Sequence, residues 1–159
     1  MDKREVEQIL AEALPKMRAA LALDDWEIVR RVEPLDSDAM AACTVEPDRL
    51  RAVIEFDPGA HDDREDLLDS LLHELCHIMH GTFDIFEKQV NAVVQDDAVR
   101  GALAVTARMG AEGTVARLVR LITVGLGLSP EDLLRWDSGA KGVREAVETE
   151  EIRAEGSDD

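Results

Sequence analysis

The sequence predicts an α+β domain with helices flanking a small, mainly antiparallel three-stranded sheet. Three observations carry this. Apolar residues recur at helical spacing over 3–22, namely Val6, Ile9, Leu10, Ala13, Leu14, Met17 and Leu21. Short β-rich segments bounded by turn residues occupy 26–56, and Leu-rich helical patterns follow from residue 63 onward.

The first helix contains Pro15, which is expected to kink or split it. Trp26–Val32 alternates as a strand. Residues 40–46 and 50–56 read as two more, joined by the Pro47-Asp48 turn at hairpin spacing and closed by Asp57-Pro58-Gly59. A helix is expected at 63–80, with Leu67, Leu68, Leu71, Leu72, Leu75, Ile78 and Met79 on its apolar face and Gly81 as its C-terminal cap. Asp84 and Glu87, at capping-box spacing, open a helix at 85–108. Gly110 and Gly113 break the pattern, a further helix runs 114–126, and Ser129-Pro130-Glu131 starts a short one. These elements make one domain over 1–138, and 139–159 reads as an acidic, flexible C-terminal tail.

The chain of 159 residues is 45% hydrophobic, enough to bury a core, but only 3% aromatic with no Tyr, so that core is aliphatic. A net charge of -17 repels phosphate backbones, and the Arg30-Arg31 pair is too small a basic patch to offset it. Nucleic acid is therefore not an expected partner. The first residues lack the apolar stretch of a signal peptide, and no run has the length of a membrane span. A cytoplasmic location is expected, with Cys43 and Cys76 as reduced thiols rather than a disulfide.

The residues that carry chemistry are His73-Glu74-Leu75-Cys76-His77. Histidines four apart on a helix share one face and can share one cation. Glu74 is rotated by about 100° from His73, where it can act as general base toward a water on that metal. This is the logic of the HExxH pattern, and the surrounding Leu71, Leu72, Leu75 and Ile78 bury the helix while leaving the histidine stripe separate.

A catalytic zinc ion needs a third protein ligand. Glu87 is the first choice, because its wheel position beside Val90 and Val94 turns it inward just after the Gly81 turn. Asp84 reads better as an N-cap. His80 lies on the histidine stripe, but three ligands along one straight helix suit a tetrahedron poorly, so it reads as an outer partner or a transition-state stabiliser. Glu112 qualifies only if a 109–113 loop returns to the site. Arg100 is a second candidate donor for the transition state. His61 reads as a surface histidine ahead of the helix. One of Asp66, Asp69 and Ser70, on the histidine stripe, is placed to orient a ligand imidazole.

Residues 24–100, through Trp26-Glu27-Ile28, Arg51–Phe56 and Leu71–His77, resemble small HExxH zinc metallopeptidases: minimal, gluzincin-like zincins related in outline to the minigluzincin, SprT-like and ImmA/IrrE families. WLM and SprT-like proteins complete the metal site with a downstream histidine, and the WLM-like position holds Phe83 here. Gluzincin-like and ImmA/IrrE proteins use a glutamate on the next helix, which Glu87-Lys88-Gln89-Val90-Asn91-Ala92 resembles, although one alignment places Gln89 at that position. The resemblance implies a zincin fold, a Zn²⁺ cofactor, a peptide or protein substrate and pairing of that substrate with strand 51–56. The expected function is zinc-dependent hydrolysis of peptide bonds. The alternative is a catalytically silent zincin-fold protein whose zinc is structural, acting as a binding or regulatory module; a third possibility is a protease kept latent by the acidic tail or by residues 109–140.

Overall fold

A computed structural model describes residues 1–36, 39–81 and 95–135, and the architecture there is α+β. In chain order the elements are α1 (Lys3–Ala20), β1 (Glu27–Val32), β2 (Ala41–Glu46), β3 (Arg51–Phe56), α2 (Arg64–His80), α3 (Asp97–Arg120) and α4 (Pro130–Leu134). The acidic tail at 139–159 lies outside the described residues.

Helix α1 starts where the Asp2 carboxylate accepts a hydrogen bond from the Glu5 amide. Its stripe of Val6, Ile9, Leu10, Ala13, Leu14 and Met17 is buried as the periodicity required. Pro15 does not split the helix, which continues from Lys3 to Ala20. Pro15 is on the exposed face, where water can solvate the carbonyl that lacks its amide partner.

The sheet has the order β1-β3-β2. Strands β2 and β3 form the expected antiparallel hairpin, with Cys43 opposite Ile54. Strand β1, however, runs parallel to β3, with Glu27 opposite Arg51. The sheet is thus mixed rather than mainly antiparallel. Its central strand is the last in sequence, because the chain makes β2 at the far side before β3 enters between β1 and β2. Strand β3 turns Ala52, Ile54 and Phe56 into the core, where they meet α1 and the Leu-rich face of α2.

Helix α2 opens on the Asp63 carboxylate, which accepts from the Asp66 amide, and closes at Gly81 in the left-handed conformation with φ 50°. The Gly81 amide donates to the His77 carbonyl, so the glycine ends the helix as its position predicted. Leu67, Leu68, Leu71, Leu72, Leu75 and Ile78 are buried, whereas Met79 is 45% exposed and does not belong to the apolar face.

The largest departure from the expected pattern is α3. One helix of 24 residues runs through Gly110 and Gly113, where a break was expected. Glycine lowers helix propensity by about 1 kcal/mol each but does not forbid helix, and Ala111 and Val115 anchor this stretch in buried positions. The separate helix expected at 114–126 is therefore the end of α3 and the π-helical turn Leu121–Gly125 that follows. The helix expected at 85–108 falls partly outside the described residues, and its described part belongs to α3. Helix α4 begins with a reciprocal capping box between Ser129 and Asp132. It packs against α1 and α2, and the Arg64 Nε–Glu131 Oε1 pair at 2.9 Å ties it to the start of α2.

An added Cβ would meet nothing within 4 Å at either Gly110 or Gly113. Replacing either with Ala is expected to stabilise the protein by about 0.5–1 kcal/mol. Urea unfolding monitored by circular dichroism checks this. A loop at 109–113 with glycine-specific geometry would give a loss instead.

Candidate metal centre

The three motif residues come together because α2 divides its surface. Its leucines face the core, and His73 and His77 lie one turn apart on the flank that looks onto a cleft. Their rings pack edge to face with centroids 5.0 Å apart. Their Nε2 atoms are 3.2 Å apart. With one ring nitrogen from each histidine and one Glu74 carboxylate oxygen all within 4.8 Å of one another, His73, Glu74 and His77 form a group able to hold a metal ion.

A second carboxylate approaches more closely. Helix α3 packs against α2 and delivers Glu112, whose Oε2 is 3.3 Å from His73 Nε2 and whose Oε1 is 3.4 Å from His77 Nε2. The sequence admitted Glu112 only through a returning loop. It arrives instead from the interior of a continuous helix. Glu87 and Asp84 lie outside the described residues.

These distances can be tested against zinc. Nitrogen and oxygen ligands bind at about 2.0–2.2 Å, so two of them at tetrahedral angles lie roughly 3.3–3.5 Å apart. The two Nε2 atoms are 3.2 Å apart and each meets a different Glu112 oxygen, at 3.3 and 3.4 Å, so the spacings are close to those of zinc ligands while the carboxylate spans the two imidazoles. The donor set fits zinc. His80 is not part of the group able to hold a metal, but it lines the same cavity.

Glu74 and Glu112 differ in environment. Glu74 is only 6% exposed, and burial, reinforced by the Glu112 charge, pushes its carboxyl up to about 8. The Glu112 side chain is 51% exposed. Burial lowers His77 below the ordinary imidazole range, and His73 and His80 push the same way while Glu112 opposes them. Neutral imidazole is the form that binds metal. Cys76 is buried within the motif and its thiol is pushed up to about 12 by burial, which leaves it a packing residue; neither it nor Cys43 forms a disulfide.

Two cavities meet at the site. One of about 600 Å³ is lined by β2, by His73, Glu74, His77 and His80, and by Arg108 and Glu112 of α3. The other, about 730 Å³, also includes Ala41, His73 and Glu74 and extends past Asp69, Ser70 and Val119 to Asp132 of α4. They share Ala41, His73 and Glu74 in their linings. Strand β2 borders the first of them. Strand β3, expected to receive a substrate, has β1 on one side and β2 on the other and so offers no free edge. The edge beside the site belongs to β2.

Arg108 was not singled out from the sequence. Its signal is the i,i+4 spacing to Glu112, which becomes informative only once that helix is continuous. Arg100, three turns before Glu112 and roughly 18 Å away along α3, is paired with Asp97 and lies outside the cleft. His61 is not a surface residue. It is 1% exposed, sits against Phe56, and its Nδ1–H donates to the Asp57 carbonyl. Asp69 and Ser70 line the cleft on the histidine side, whereas Asp66 accepts from the Asp62 amide.

The chain matches no family model, no curated protein and no solved structure. Among the described residues no helix is long and apolar enough to cross a membrane.

The raised Glu74 carboxyl has a consequence for stability. Between about 4.5 and about 8 the folded, metal-free protein holds a proton on Glu74 that the unfolded chain has lost. The contribution of Glu74 to stability must therefore fall as pH rises through that window, by about 1.4 kcal/mol per pH unit at most, while the lowered His77 acts in the opposite sense below the ordinary imidazole range. Thermal melts of chelator-treated protein at pH 5, 6.5 and 8 check the slope. Glu74→Gln is expected to flatten it and to raise the melting temperature most at pH 8.

Proposed function

We propose that this protein is a zinc-dependent hydrolase of peptide bonds with a zincin-like, glutamate-completed metal site. The observation that carries the reading is the triangle of His73 Nε2, His77 Nε2 and the Glu112 carboxylate, with the buried Glu74 beside it. The three triangle residues would hold the zinc. Glu112 is assigned as ligand over Glu74 because its oxygens lie close to both nitrogens. Glu74 follows His73 directly, which turns it off the ligand line.

Bound zinc supplies Lewis acidity, which makes water nucleophilic near neutral pH and polarises a carbonyl. The protein does the rest. Glu74 accepts a proton from the attacking water and returns it to the departing amine nitrogen. His80 and Arg108 line the same cavity and are the side chains with donors that we assign to the developing oxyanion. The β2 edge can receive an extended peptide backbone across the cleft. The open cavity over the histidines and the position of His80 outside the metal group favour catalysis over a closed structural zinc site.

Glu74→Gln is expected to keep about one zinc per chain while losing at least about 10²-fold in kcat. Metal analysis and cleavage of a quenched peptide mixture read the two quantities. Intact activity in that variant rejects the mechanism. Glu112→Gln is expected to weaken zinc binding by more than the roughly 10–100-fold typical of losing an outer partner. If Glu87→Gln releases the metal and Glu112→Gln does not, the third ligand is Glu87.

A further inference from the structure

The outer face of α3 and of the π-helical turn after it is apolar and basic in a chain that is strongly acidic. At about 100° per residue, Val99, Leu103, Arg117, Arg120, Leu121 and Val124 fall in one sector, turned away from the buried Ala111, Val115 and Ile122. The four apolar side chains of that sector are 37% to 71% exposed. Arg117 and Arg120 are exposed, and among the described residues their guanidiniums have no hydrogen-bond or ion-pair partner. The carboxylates of α3 point elsewhere, Asp97 to Arg100 and Glu112 to the histidines. Two unmatched cations stand out where 35 Asp and Glu face 18 Lys and Arg. Exposed apolar surface beside them marks a contact face, and its charge asks for an acidic, partly apolar occupant.

The chain carries such a segment. Residues 139–159 hold seven Asp and Glu against three Lys and Arg, with Val143, Val147 and Ile152 among them. The described fold ends at Arg135, directly after α4, and only residues 126–129 separate α4 from the turn that bears Leu121 and Val124. Ten residues of extended chain cover roughly 33 Å, so the carboxylates from Glu145 onward are within reach of the face. Tethering holds the segment at an effective concentration in the millimolar range, where weak surface contacts suffice.

We infer that residues 139–159 dock on the outer face of α3, with their carboxylates against Arg117 and Arg120 and their apolar side chains on Leu121 and Val124. The inference stands independently of the hydrolase reading. Val119 and Thr123, next in sequence to Arg120 and Val124, line the larger cavity, so the docked segment borders that cavity.

The full chain is treated briefly with trypsin at about 0.05 M NaCl, and cleavage after Arg144 and Arg153 is followed by mass spectrometry. A synthetic peptide of residues 139–159 is the undocked reference. Both bonds are expected to be cut more slowly in the protein than in the peptide. The double variant Arg117→Glu with Arg120→Glu is expected to be cut about two- to tenfold faster than wild type, as for the loss of two exposed ion pairs. Wild-type cleavage as fast as that of the peptide overturns the inference, and so does protection that survives the charge reversal. Should that variant not fold, wild type at about 0.5 M NaCl decides, because screening must bring its cleavage toward that of the peptide at the same salt. Undiminished protection overturns the inference. Protection that appears only as protein concentration rises assigns the face to a second copy. Arginine-dependent binding to phosphatidylserine vesicles by a chain whose tail is cut freely assigns it to a membrane. Either result overturns the inference.

Discussion

Helix α2 has to satisfy two solvents at once, and the molecule is arranged around that demand. Six of its apolar side chains sit in the core against β3 and α1, while its histidines lie one turn apart on a flank open to a cleft. The periodicity of 3.6 allows this, because residues 73 and 77 fall on a row distinct from 67, 68, 71, 72, 75 and 78. Burial of the leucine row fixes the helix in rotation as well as in place. The imidazoles therefore point at one position without needing many bonds of their own to hold them there.

The second requirement is a partner for that flank. Helix α3 crosses α2 and buries Ala111 and Val115, while Glu112 between them reaches both imidazoles. Packing and the approach to the histidines come from adjacent positions on one helix, so the Glu112–imidazole distance depends on helix–helix contact. The same geometry sets the electrostatics. Bringing Glu112 to the histidines also brings a second carboxylate near buried Glu74, and the resulting rise in the Glu74 carboxyl is a cost in the metal-free protein. A dication at the triangle would offset it, which couples metal binding to folding. Two cavities with different linings share His73 and Glu74.

Much of the fold follows from local pattern. Helices α1 and α2, the β2–β3 hairpin, the Gly81 stop and the Ser129 cap lie where periodicity and turn chemistry put them, within one or two residues at the ends. The signal failed where local preference was weak or context overrode it. Two glycines suggested a break in α3, yet helix propensity is a small term beside the burial of Ala111 and Val115. Met79 looks apolar on the wheel but falls past the edge of the buried row. His61 looked like a surface residue because it precedes an acidic pair, and only the approach of Phe56 encloses it.

By itself, the sequence determined that His73, Glu74 and His77 form a group able to hold a metal ion, since all three sit within one and a half turns of a single helix and their relation needs no tertiary knowledge. It also determined the aliphatic core and the class of fold. Which carboxylate meets the histidines was decided by tertiary structure, because Glu112 is 39 residues from His73 and its arrival depends on how α3 crosses α2. The parallel placement of β1 and the β2 edge beside the site were decided in the same way. Each is a contact between segments distant in sequence, and no local pattern encodes the angle at which such segments meet.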